Sequence, residues 1–130
     1  MIKTTSNKRR PVYLNLFKIR LPVAGMVSLA HRASGILMFL AMPFVVYLLD
    51  LSVRSTQGFD QAVTIVKHPL VMTVGMMFVW ALAHHLFAGI RFLLIDADIG
   101  VEKKSSTVGA WLVIALAVLS TVILIMWVLV

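Results

Sequence analysis

From Val108 to Val130 the chain carries no charged residue, and this constrains its fold more than any other feature. A helix on the surface of a water-soluble domain keeps a polar face, so a run that is apolar all the way round belongs inside a large core or across a bilayer. With 130 residues, 61% of them hydrophobic, 13% charged and a mean hydropathy of +0.99, the chain has no core large enough to enclose such a run. At about 1.5 Å per residue the segment reaches roughly 35 Å, enough to cross a hydrocarbon layer about 30 Å thick with some tilt. The fold class expected is all-α and integral to a membrane.

Two further apolar stretches complete three transmembrane helices, at residues 22–49, 70–95 and 108–130, behind a tail at 1–21. Short connections make residues 1–130 a single membrane-anchor domain. Residues 50–69 contain Gly58 and Pro69 and are expected as an external loop with a short surface helix from Gln61 to Val66, while 100–107 form the opposite loop. Pro43 is expected to kink the outer half of the first span, because it lacks a backbone donor. Six of the twelve Lys and Arg residues, Lys3, Lys8, Arg9, Arg10, Lys18 and Arg20, precede the first span, whereas the external loop has only Arg54 and Lys67. Positive charge stays on the cytoplasmic side, so the N-terminus is expected in the cytoplasm and the C-terminus in the periplasm. Arg91, Asp96 and Asp98 then return to the cytoplasmic side.

The net charge of +7 follows the same logic. It marks a polybasic segment beside anionic membrane lipid, not a nucleic-acid surface, since no basic-aromatic recognition module accompanies it. Within the tail, Arg10-Pro11 and Leu21-Pro22 are expected to hold the backbone extended, with Tyr13 to Phe17 lying on the membrane surface. The tail has no apolar run ending at a small-residue cleavage site, so it does not resemble a secretory signal; its likeness to an organellar transit peptide is superficial.

The chain has no cysteine, which removes disulfides, thiolate metal sites, cysteine-held iron–sulfur clusters and covalently attached c-type haem. It has no glycine-rich dinucleotide fingerprint either. Three spans without an inverted repeat do not suggest a transporter.

What remains is the set of polar groups inside the spans. An ionisable side chain costs roughly 2.5–3.5 kcal/mol near a bilayer centre, so each one requires a partner. In the first span Ser28, His31, Arg32 and Gly35 share one side of the helix at about 100° per residue. In the second, His84 and His85 point about 100° apart, so only one can serve a given face. Neutral imidazole is a good iron ligand, and bundle cores are common haem sites. His85 has Ala81, Ala88 and Gly89 at i−4, i+3 and i+4, small enough to admit a flat macrocycle, whereas His84 has Trp80, Phe87 and Ala88. Local sterics favour His85, leaving His84 on a face with Arg91. A membrane histidine is as often an interhelical hydrogen-bonding group, and an Arg near a helix end often snorkels, so both structural readings stand beside the functional one.

The sequence Arg10-Pro11, then Ser28-Leu29-Ala30-His31-Arg32-Ala33-Ser34-Gly35, then His85-Leu86-Phe87-Ala88-Gly89-Ile90-Arg91 and Asp96, closely resembles the cytochrome b membrane anchors of bacterial succinate dehydrogenase. The likeness covers nearly the whole chain. It implies a four-subunit respiratory complex II in the bacterial inner membrane, in which a flavoprotein and an iron–sulfur subunit oxidise succinate. This chain and a second hydrophobic anchor would hold one haem b and a ubiquinone-reduction site; this chain alone would lack the succinate-oxidising site. By the same resemblance His85 is the axial haem ligand, with the opposite ligand on the partner anchor, and Ser28 and Arg32 line the quinone site. His31 and Arg32 lie where haem propionates are approached. The family often has a histidine directly after Gly-Ile-Arg, where this chain has Phe92, so Arg91 stands as the substitute on the second helix and His84 as a pocket residue.

Three alternatives accompany this expectation. The chain would be a non-redox three-helix assembly protein, or the anchor of a related fumarate reductase, or it would hold haem between its own His31 and His85. The choice between ubiquinone and menaquinone is not legible in the sequence.

Overall fold

A computed structural model describes residues 20–129. Four helices follow one another: α1 (Val23–Arg54), α2 (Thr56–Lys67), α3 (Pro69–Asp96) and α4 (Lys103–Leu129). Among the described residues α1, α3 and α4 are the helices long and apolar enough to cross a membrane. The expected extended turn at Arg10-Pro11 and the surface segment Tyr13 to Phe17 lie outside the described residues, as do most of the basic tail and Val130.

Helix ends are where the structure departs from the apolar pattern. Instead of ending at 49, α1 continues to Arg54, supported by an Asp50–Arg54 ion pair one turn apart, and it runs through Pro43 without ending there. The expected external loop is mostly helical. Ser55 stops α1 in an extended conformation and caps α2, its Oγ accepting from the Gly58 amide at 3.0 Å. Hence α2 spans Thr56–Lys67, not just the turn and a half from Gln61 to Val66. Pro69 then opens α3 at the first helical position, where a missing amide costs nothing. Likewise α4 starts at Lys103, because Lys103 to Thr107 is polar yet compatible with helix; a hydropathy criterion detects only the part inside lipid.

Between the spans the packing is built on small residues. Val27 of α1 meets Ala88 of α3 and Ala110 and Val113 of α4, with Phe87, Phe92 and Ile114 around them. Without a hydrophobic force between helices already in lipid, close backbone approach and dispersion hold them together, and alanine permits that approach. Val27 is the largest side chain wholly enclosed among the described residues; Ile36, Phe39, Leu40, Leu93 and Trp127 point outward, as expected of lipid-facing positions. Near the end of the bundle where α3 connects to α4, Arg91 reaches from α3 to α4, donating through Nη2 to the Ser106 carbonyl at 3.1 Å and to Ser106 Oγ at 2.8 Å. Gly109 makes room for it, since a Cβ there would lie 3.4 Å from Arg91 Nε.

At the other end α2 folds back on α1 so closely that a Cβ on Gly58 would overlap the Leu51 carbonyl oxygen. Backbone cannot yield as a flexible side chain can. Gly58→Ala is therefore expected to destabilise the folded chain by about 1–3 kcal/mol, the usual cost of overpacking. Gly75→Ala, where a Cβ meets nothing within 4 Å, should leave the thermal unfolding midpoint in detergent unchanged. Equal midpoints for the two variants would contradict the close contact.

Candidate functional site

Two consecutive histidines on α3 meet entirely different surroundings. His84 turns into the bundle, 3% exposed, with its ring stacked on Trp80 at 5.4 Å between centroids and its Nε2 buried without a hydrogen-bond partner. It lines an apolar pocket of about 280 Å³ together with Met26, Val27, Ala30, Ile114 and Val118. His85, half-buried, turns toward α1. The angle of about 100° between neighbours on a helix separates an enclosed imidazole from an approachable one.

Glycines let α1 and α3 meet here. A Cβ on Gly35 of α1 would stand 3.1 Å from His85 Cε1, and one on Gly89 of α3 would stand 3.6 Å from His31 Nε2. Each helix thus offers a glycine to the other helix's histidine. The two imidazoles stack face to face, 4.0 Å between centroids and 17° from parallel, and Phe92 tilts onto His31 at 5.2 Å. Phe92 therefore supplies an aromatic wall to the His31 ring.

The hydrogen bonds around His85 fix its tautomer. Ser34 Oγ donates to the His31 carbonyl at 2.8 Å. His85 Nδ1 lies 3.1 Å from that carbonyl and 3.0 Å from Ser34 Oγ. A carbonyl only accepts, and the serine proton is already committed, so Nδ1 carries the hydrogen and donates to both oxygens. The neutral ring then has its lone pair on Nε2. Among the described residues nothing bonds that nitrogen, and unlike His84 Nε2 it is not enclosed. An imidazole whose Nδ1–H is held by a carbonyl keeps its lone pair on Nε2, the tautomer in which that nitrogen can accept a proton, a hydrogen bond or a metal.

The residues singled out in the sequence divide into two groups. His31 and His85 are in contact, and Ser28 (half-buried) and Arg32 (exposed) stand on the same stretch of α1. Arg91 and His84 face the α4 side of α3, and Arg91, 8% exposed, is engaged by Ser106; its Nε is buried without a partner. The expectation that Arg91 substitutes at the His31 site thus meets a side chain directed elsewhere. The steric reason for preferring His85 also differs from the one expected: Ala81 and Ala88 are filled by protein packing, 1% and 0% exposed, so only Gly89 opens space on the His85 side. Iron held between His31 and His85 is not compatible with this arrangement. Imidazole binds iron through nitrogen in the ring plane, and these rings present faces to each other with no room for a macrocycle.

Ser34 was not singled out as a site residue by sequence reasoning. Its signal was available: a serine three residues after a histidine in a membrane helix returns its proton to the i−3 carbonyl and keeps its lone pairs free.

Comparison with known proteins agrees with a membrane subunit built on apolar helices. A family model described as succinate dehydrogenase/fumarate reductase transmembrane subunit matches residues 6–125. A Coxiella burnetii protein named succinate dehydrogenase cytochrome b556 subunit is 32% identical, over 94% of this chain and 98% of its own length. The Paracoccus denitrificans protein of the same name is 30% identical, over 88% and 91% of the two chains. A mitochondrial succinate dehydrogenase cytochrome b560 subunit of Mus musculus is 32% identical over 91% of this chain and 70% of its own. With a match across nearly the whole length and three apolar spans in place, the chain belongs to the succinate dehydrogenase/fumarate reductase transmembrane subunit family.

Proposed function

We propose that this chain is a cytochrome b anchor of succinate:quinone oxidoreductase, contributing His85 to one haem b and Ser28 and Arg32 to a ubiquinone-reduction site. The observation that carries the reading is the His85 imidazole, with Nδ1–H engaged by two oxygens of α1 and Nε2 without a hydrogen bond among the described residues. Haem fits these residues. His85 would hold the group from this chain, with a further ligand from a partner anchor as the family resemblance implies. Bound haem supplies a one-electron carrier of adjustable potential.

The remaining work belongs to the side chains. Arg32 is an exposed guanidinium one residue beyond His31, suited to a carboxylate such as a haem propionate, and to the oxygen of a quinone that gains electrons. His31 stacks on the ligand ring and limits its rotation. Ser28 lies one helical turn before Arg32 and donates a hydrogen bond to a quinone carbonyl. Reduction of the quinone takes up two electrons and two protons; the electrons arrive from an iron–sulfur subunit whose own electrons come from a flavoprotein that oxidises succinate. Positive charge fixed beside the accepting oxygen favours the reduced state, in the manner of any preorganised site for developing negative charge. Arg91, turned the other way, ties α3 to α4 through Ser106.

Orientation and location follow from the charge distribution. The basic residues before α1, together with Lys103 and Lys104 at the start of α4, lie on the cytoplasmic side of a bacterial inner membrane; α2 lies at the periplasmic edge. The family's description also covers fumarate reductases, but the relatives named above are succinate dehydrogenase subunits, which favours succinate oxidation.

His85→Ala in the assembled complex is expected to abolish the b-type reduced-minus-oxidised spectrum, and an unchanged spectrum would remove His85 as the ligand. Arg32→Ala is expected to lower succinate:ubiquinone activity about tenfold or more, in line with removal of one charge-stabilising donor. Succinate oxidation with a soluble dye should remain within about twofold of the parent, because the dye accepts electrons upstream of the quinone. Parallel loss of both activities would assign Arg32 to assembly instead.

A further inference from the structure

We infer that Ser34 is a positioning residue for the haem ligand: together with the His31 carbonyl it fixes the His85 ring in the tautomer and rotation that present Nε2 to iron, and it sets how strongly that nitrogen donates. This rests on the reading of His85 as the axial ligand.

The geometry supports the inference at each atom. Ser34 is buried at 4% exposure, so no water replaces its hydroxyl if it is removed. Its proton goes to the His31 carbonyl, which orients the oxygen lone pairs toward His85 Nδ1 at 3.0 Å. The same carbonyl lies 3.1 Å from Nδ1. Both acceptors are on one turn of α1, joined by the Ser34–His31 bond, and they move as a unit. The His31 ring at 4.0 Å blocks rotation on one face, and the missing Cβ of Gly35 leaves just enough space for the Cε1 edge. Four consecutive-turn features of α1 therefore converge on one imidazole of α3, more than helix packing alone requires.

A hydrogen bond from the distal nitrogen of a metal-bound imidazole increases the donor strength of the bound nitrogen, and losing such a partner typically weakens metal affinity about 10–100-fold. Two acceptors hold Nδ1–H here. Removing the hydroxyl leaves the carbonyl, so the ligand is retained with weaker donation, which favours the ferrous state and raises the haem potential.

The test uses the complete complex carrying Ser34→Ala, Ser34→Thr or His85→Ala, with haem per flavin, the haem midpoint potential by redox titration, and the rate of haem transfer to excess apomyoglobin. Ser34→Ala is expected to keep one haem per flavin, shift the midpoint upward and speed haem transfer about tenfold. Ser34→Thr, which keeps the hydroxyl, should restore the parent potential. A parent-like potential and transfer rate in Ser34→Ala would overturn the inference, as would an identical shift in the Thr and Ala variants. If His85→Ala keeps an unaltered haem spectrum, the ligand assignment fails by itself, a result separable from any outcome at Ser34.

Discussion

In hydrocarbon a ring nitrogen bearing a hydrogen has no water to bond, and the α1–α3 seam is arranged around that requirement. His85 Nδ1–H finds the His31 carbonyl and Ser34 Oγ, and in doing so joins two helices where no water is at hand. The glycines at 35 and 89 follow from it: unless both backbones come close, the imidazoles do not stack and the hydrogen bonds do not reach. The rest of the bundle is consistent with this seam. Alanines at 81, 88, 110 and 117 are buried where the helices pack, and Arg91 with Ser106 closes the α3–α4 end.

The two histidines show how much one residue of register decides. His84 gains packing against Trp80 and leaves a nitrogen buried without a partner, a cost usually offset by the surrounding contacts. His85 gains the opposite: satisfied on its inner edge, unsatisfied on its outer one. Chemical identity is the same at both positions, so the difference in surroundings comes from the face each occupies.

Much of this was legible in the sequence. Three spans, the polar side of α1 and the divergence of His84 from His85 follow from periodicity and charge, since both survive whatever the helices pack against. The ends of α1 and α4 were not legible from hydropathy, because Leu51 to Arg54 and Lys103 to Thr107 continue helices beyond the apolar layer. Partners across the seam were harder still. Ala81 and Ala88 look equally suited to a macrocycle or to a neighbouring helix, and only the position of Val27, Ala110 and Val113 decides that α1 and α4 cover Ala88. Arg91 was likewise ambiguous, since Ser106 lies fifteen residues away across a turn that contains Asp98 and Gly100 in left-handed conformations.

One further consequence concerns biogenesis. Along most of its length α1 presents one bare flank, with Arg32 exposed and Ser28 only half-covered, while Val27 and Ser34 are its only wholly buried side chains. A solitary copy in lipid would leave this polar strip facing acyl chains, at a free-energy penalty. Under the proposed pairing with a second anchor, a copy made in excess of its partner keeps that penalty, so association and stable residence in the bilayer become one event for this helix.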